Sequence, residues 1–387
     1  MIEIVSSRQD KFGFYQVGDF QTYSKFEAAE QQVKTGQKIH WNFNDAVYSS
    51  FDWTQEPAES LRELYRQRAQ QLREQYDYLV LWFSGGADST NILNSFVDNN
   101  IKLDEVASFV NYDATGDRFN YLNAEIYNVA VPRIQKIQQQ QPWLVHSLLD
   151  ISKMTMDIFS EKESKFNWIY HVNSYINPNA VSRKDIKLKN PAWTKMFDAG
   201  KKVGFIYGTD KPYVNALNGK YYLKFIDMID NAVSADVQMM DRAWEFNELF
   251  YWSPSHPQIV IKQAHAIKNF LKSTNIIDSN FTNCPDSATN VATHINGKLY
   301  WLTFDCIHRL IYPGWYPVPY QGKPPSIIFT LRDNWFFNLP DQDFAKYSWR
   351  TGLEHLWKTS PNFLKKDPKD IRKGFNRSIS YPYYLGD

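Results

Sequence analysis

One feature constrains the fold of this chain more than any other: the apolar run Tyr78-Leu79-Val80-Leu81-Trp82-Phe83, which leads directly into Ser84-Gly85-Gly86-Ala87-Asp88-Ser89. An apolar run without polar alternation suits a strand covered on both faces, the condition of strands in a parallel sheet. Serine, glycine and aspartate then end the strand, and a helix is expected over 90–97. A strand of this kind needs parallel neighbours, so the remaining sequence has to supply them.

It offers three. Residues 106–110 read as a second strand, 144–149 as a third and 203–207 as a fourth, with a long helix predicted over 121–139 and another over 191–200, closed by Gly200. The last strand ends in Gly208-Thr209-Asp210-Lys211-Pro212. This alternation predicts an α/β fold, a doubly wound and mostly parallel sheet. Ahead of it, residues 1–56 read as a small β-rich segment, with strands over 12–17 and 20–23 about Gly18-Asp19 and another over 39–43. A helix is expected from Pro57 to about residue 75. An antiparallel strand over 219–226 and a helix over 258–272 follow. From about 276 onward Pro313, Pro317, Pro319, Pro324 and Pro325 stand among tyrosines and tryptophans, which predicts a loop-rich extension with a tail over 358–377 wrapped on the surface. The expected units are therefore 1–56, 57–275 and 276–387.

Composition narrows the function classes. A chain of 387 residues with 43% hydrophobic and 16% aromatic residues can bury a large core and is not expected to be disordered. With 43 basic and 42 acidic residues there is no global field for nucleic acid or an anionic membrane, so any nucleic-acid contact must be local. Two cysteines, Cys284 and Cys306, fit a reducing compartment and exclude a four-cysteine zinc site. No stretch approaches the roughly 18 apolar residues of a membrane span, and a cytoplasmic protein is expected.

In an open α/β sheet, ligands sit beyond the carboxyl ends of the strands, where the 84–89 loop is expected. Gly85 and Gly86 let the backbone approach an anion, and the amides opening the next helix point at it. Ser84 and Ser89 add hydroxyl donors. Asp88 beside a polyphosphate would repel it unless a Mg²⁺ ion bridges the two, so Asp88 is the candidate metal ligand. No Gly-x-x-x-x-Gly-Lys-Ser/Thr loop is present.

Ser84-Gly85-Gly86-Ala87-Asp88-Ser89 resembles the SGGxDS signature of the PP-loop (N-type) ATP pyrophosphatases. The resemblance implies ATP and Mg²⁺ as cofactors, pyrophosphate held by Ser84, Gly86, Asp88 and Ser89, and adenosine held by the backbone at Phe109 to Asn111. It also implies an adenylylated acceptor as product. Lys211 could neutralise charge developing on the α-phosphate, and Asp210 could orient Lys211 or bind the metal. The alternative for this turn is an ordinary solvated bend stiffened by Pro212. The similarity covers about residues 78–212. Its style also looks similar to PP-loop proteins of tailed bacteriophages, which would place the chain in a host cytoplasm.

Within the family the absences discriminate. Sulfur transfer, adenylylsulfate reduction and the deazapurine nitrile synthetases call for cysteines in patterns this chain lacks, and Met1-Ile2 offers no glutaminase nucleophile. An asparagine-synthetase-like or lysidine-synthetase-like ligase remains, acting on an unidentified carboxylate or carbonyl acceptor. A tRNA- or nucleobase-modifying enzyme would use a local basic groove, with Lys184, Lys187 and Lys189 or the basic residues over 365–377 as candidates. A non-catalytic nucleotide-binding module is the third reading. Asn111, Asp113, Asp117, Arg118 and Asp150 are weaker candidates for ribose or acceptor contacts. His171, His256 and His265 show no ligand pairing, Trp252 to Pro257 reads as a turn packed on the core or a lid, and the two cysteines as small core residues. The oligomeric state is left open.

Overall fold

The computed structural model describes residues 12–160, 168–169, 187, 190–208, 211–227, 245–273, 290–295, 298–315, 334–359 and 380–387. At the N-terminal side β1 (Phe14–Val17), β2 (Phe20–Thr22) and β3 (His40–Asn42) form a small antiparallel sheet of order β2-β1-β3. The next four strands are β4 (Tyr78–Trp82), β5 (Glu105–Val110), β6 (Val145–Asp150) and β7 (Val203–Tyr207). The hairpin β8 (Tyr213–Leu217) and β9 (Lys220–Lys224) follows, and then β10 (Glu245–Leu249).

β4, β5, β6, β7 and β10 make one parallel sheet of order β10-β7-β4-β5-β6. The chain starts in the middle, steps outward through β5 to β6, returns to the other side of β4 for β7 and ends at β10. The order reverses between β4 and β7, and in open α/β sheets ligands bind beyond the strand ends at such a point. The apolar run therefore occupies the centre of the sheet, where both faces are covered: Leu79, Val80 and Leu81 are fully buried.

Register partners share a face. On one face Trp82 stacks against Phe109 and Phe205 at 4.6 and 5.8 Å, and Trp193 of the helix Pro191–Asp198 meets Trp82 edge-on at 5.6 Å. The opposite face takes the helix Leu61–Gln75, whose Arg68 donates to Glu248 of β10 at 2.8 Å and whose C-cap Tyr76 lies against Gly204 of β7. The helix Ala87–Val97 contacts both Leu61–Gln75 and β4. Helices thus cover both faces, as a sheet with buried parallel strands requires.

Three expectations are corrected. The helix expected from Pro57 begins at Leu61, because Ser60 and Glu63 form a reciprocal capping box that satisfies the first amides. The helix expected over 121–139 runs over 124–138 and is not regular throughout: Ile126–Ala130 winds as a π-turn before Val131–Gln138, and Pro132 in that next turn has no N–H to give to the regular ladder. The described part of the C-terminal extension is built of regular elements rather than loops: β11 (Asn290–Ile295), β12 (Lys298–Thr303), helices Phe304–Ile311 and Phe344–Thr359, and β13 (Tyr383–Gly386). Pro317, Pro319, Pro324 and Pro325 lie outside the described residues.

A second five-stranded sheet has the order β12-β11-β8-β9-β13. It joins strands from both sides of residue 275, with β11 parallel to β8 and β13 antiparallel to β9. β8 and β9 are connected through Asn218-Gly219, both at positive φ, the turn that matches strand twist in a two-residue hairpin. A buried Lys25–Asp227 ion pair, with the Tyr15 hydroxyl donating to the same carboxylate at 3.1 Å, ties the N-terminal sheet to this one. No helix among the described residues is long and apolar enough to cross a membrane.

Candidate functional site

Two turns meet at the reversal point between β4 and β7. The first leaves β4 as residues 84–86 and opens the helix Ala87–Val97 with Gly86 as N-cap. No side chain caps this helix among the described residues, so its leading amides are not closed by a protein acceptor. Gly85 adopts φ +80°, and an added Cβ there would meet the Ala130 amide at 3.1 Å and Val129 at 3.2 Å, so the π-turn packs directly on the loop. Ser84 and Ser89 brace it from inside. Ser89 Oγ accepts from the Ser84 amide at 3.3 Å, and Ser84 Oγ accepts from the Gly86 amide at 3.2 Å. The Glu125 carboxylate lies 3.4 Å from where a Cβ on Gly86 would stand.

The second turn leaves β7 at Gly208, whose Cα comes so near the helix that a Cβ would sit 3.3 Å from the Asp88 main chain. That close approach delivers Lys211. Its Nζ lies 2.7 Å from Asp88 Oδ1 and 2.8 Å from Oδ2, with side-chain exposures of 10% for Lys211 and 31% for Asp88. Asp210, assigned the role of orienting Lys211 or binding metal, falls outside the described residues.

Three side chains that sequence reasoning did not assign complete the surroundings of Asp88. Tyr312, just past the helix Phe304–Ile311, donates its hydroxyl to Asp88 Oδ1. Tyr251, at the carboxyl end of β10, donates to the Asp88 main-chain carbonyl at 2.8 Å and accepts from Asn91 Nδ2 at 3.0 Å. His308 stacks on Tyr312 at 5.4 Å. Burial pushes the Asp88 carboxyl up, but Lys211, His308 and the Tyr312 hydrogen bond outweigh it and hold Asp88 below its ordinary value. Tyr312 is pushed well above the ordinary phenol value by burial and by the Asp88 carboxylate, so it stands as the donor. Tyr251 follows β10, a strand whose polar sequence gave no signal, so its place at the site was not legible either. Nothing in the sequence singled out Tyr312.

The other predicted residues are placed as follows. Phe109 is packed on Trp82 within the sheet face. The Asn111 amide donates to Asn123 Oδ1 at 2.8 Å and its carbonyl accepts from Thr115, so the main chain expected to hold adenosine is bound to its own loop. The Asn111 side-chain Nδ2 is buried without a partner. Asp150 accepts from the Asp113 and Ser152 amides, each at 2.9 Å, and so ties together the first turns of the helices Tyr112–Thr115 and Ser152–Ser160. Asp117 accepts from the Phe119 amide at 2.7 Å, and Arg118 lies over the Tyr112 and Tyr127 rings.

Lys187, a candidate for a basic groove, is buried instead. Its ammonium donates to Asn247 and lies 5.1 and 5.2 Å from the Phe205 and Tyr207 ring centres, because a lysine set against an apolar face finds partners there rather than in solvent. Lys184, Lys189 and residues 365–377 lie outside the described residues, as do His171 and Cys284. Cys306 is half-buried. His265 bonds the Trp53 carbonyl at 2.9 Å, and Trp252 packs on Phe225 at 5.1 Å, placing the 252–257 turn on the core.

A divalent ion fits this arrangement in one way. Among the described residues no group of three or more His, Cys, Asp or Glu converges, so the protein builds no complete cage. Mg²⁺ is commonly held by one or two carboxylates, with substrate phosphates and water supplying the rest, and Asp88 beside an uncapped helix start is a suitable single carboxylate. No protein-family model, curated protein or solved structure matches the chain.

Proposed function

We propose that the chain binds ATP at the β4–β7 reversal point and cleaves it between the α- and β-phosphates, passing the adenylyl group to a carboxylate or carbonyl oxygen of an acceptor. One observation carries this reading. An uncapped helix start of sequence Ser84 to Ser89 and the ammonium of Lys211 face one another where an open α/β sheet binds ligands, with Asp88 between them. The resemblance to PP-loop ATP pyrophosphatases supplies the bond that is cut.

In this reading the amides of the helix start and the two serine hydroxyls hold the departing pyrophosphate. Asp88 would hold Mg²⁺, which when bound offsets phosphate charge and orients the leaving group. Lys211 is close enough to exchange its carboxylate partner for a phosphate oxygen and so stabilise charge in the transition state. An amine or ammonia then displaces AMP from the adenylylated acceptor, the chemistry of an AMP-forming ligase working in the cytoplasm.

The test is incubation of the protein with α-labelled ATP, Mg²⁺ and pools of metabolites or RNA. AMP and pyrophosphate are expected, and Asp88→Asn should abolish their release while the chain still folds, as a cooperative thermal melt would show. ADP as product would overturn the reading. An RNA requirement would select the tRNA-modifying branch, and nucleotide binding with no release under any pool would leave a non-catalytic module.

A further inference from the structure

Tyr312 sits more than two hundred residues from the phosphate loop in sequence, yet its hydroxyl is bonded to Asp88. It is buried, lies 5.4 Å from the Tyr251 ring on one side and is stacked by His308 on the other, so its hydroxyl is held in place. Tyr251 fixes the main chain of the same aspartate, and both carboxylate oxygens face Lys211. The side chain proposed to receive a cation is thus already engaged by an ammonium and a phenol.

We propose that Tyr312 is a positioning residue of the nucleotide site, and that with Lys211 it caps Asp88 so that a divalent cation enters together with the nucleotide and not before it. This rests on the reading of the loop as an ATP site. A free cation approaching Asp88 meets an ammonium 2.8 Å from Oδ2, the oxygen that Tyr312 leaves open, and the two like charges repel. A triphosphate changes the balance, because it offers Lys211 another anion. Once Lys211 turns to phosphate, one oxygen of Asp88 is released to the incoming cation, while Tyr312 keeps the other oriented. The aspartate is neutralised by protein when the site is empty and by metal when it is filled.

The experiment uses the full chain with Mn²⁺ as probe, free Mn²⁺ being read by electron paramagnetic resonance, with and without α,β-methylene-ATP. Unsubstituted protein should bind Mn²⁺ alone weakly, and about ten-fold more tightly with the analogue. Lys211→Met should bind Mn²⁺ alone about ten-fold more tightly than unsubstituted protein, and Tyr312→Phe about three-fold. With binding of the analogue established by calorimetry and the Mn²⁺ held by free analogue subtracted, equal Mn²⁺ affinity of the protein with and without it would overturn the cap, as would the absence of a gain in both variants. Should Lys211→Met melt early, Tyr312→Phe decides alone, since it removes a single oxygen. Failure of the analogue to bind by calorimetry would sink the ATP reading separately. The Mn²⁺ gain in the variants without nucleotide would then still report on the cap.

Discussion

His146, His256 and His265 are held below the ordinary imidazole range, in each case chiefly because burial disfavours the charged ring, with Arg68 adding to the effect at His256. The unfolded chain takes up these protons first as pH falls, so the stability they leave intact above about pH 6.5 declines below it. The expected outcome is a melting temperature that drops between pH 7.5 and 5.5, with His265→Gln flattening part of the drop. A pH-independent melt over this range would contradict the assignment. These rings also show what the sequence could convey about single residues. His265, read as structural for want of ligand spacing, bonds the Trp53 carbonyl, whereas no pattern could reveal that Lys187 turns inward. Its neighbours Phe205, Tyr207 and Asn247 come from two different strands, β7 and β10, that only the folded sheet brings side by side.

At the level of elements, the phosphate loop depends on the π-turn packed on it. Gly85→Ala would place a Cβ at positive φ within 3.1 Å of the Ala130 amide. A loss of about 1–2 kcal/mol is expected from the backbone conformation, read by urea unfolding, together with weaker ATP binding. Unchanged stability and affinity would show that the loop relaxes freely. The strand-turn-helix unit itself was legible because local signals agreed: a buried strand, small residues and a helix start within twenty residues. The capping box at Ser60 and Glu63 was equally local and marks where the preceding helix begins. β10 escaped notice because its residues, Glu245-Phe246-Asn247-Glu248-Leu249, carry two carboxylates and an amide. Arg68 and Tyr76 satisfy Glu248, while Lys187 satisfies Asn247, so long-range partners make a buried strand of a polar sequence.

For the molecule as a whole, the second sheet and Tyr312 make residues beyond 275 part of the same structure as the phosphate loop. A chain ending at residue 275 would lack β11, β12 and β13 and leave β8 and β9 with open edges. It should aggregate or melt well below the full chain, and size-exclusion chromatography with a thermal scan would check this. Recovery of a monomer of undiminished stability would refute it. The sequence favoured a loop-rich extension because proline and aromatic clusters are local, whereas pairing of β13 with β9 links positions some 160 residues apart.

A consequence in time follows from the placement of β4. One of its neighbours, β5, begins only 23 residues after β4 ends, but the other, β7, is separated from it by 120. Closing so long a segment is slow relative to nearby pairing. Half the sheet can therefore assemble with the Ser84-to-Ser89 turn attached while Lys211 is still undocked, and competence for the proposed ligand belongs to the late stages of folding.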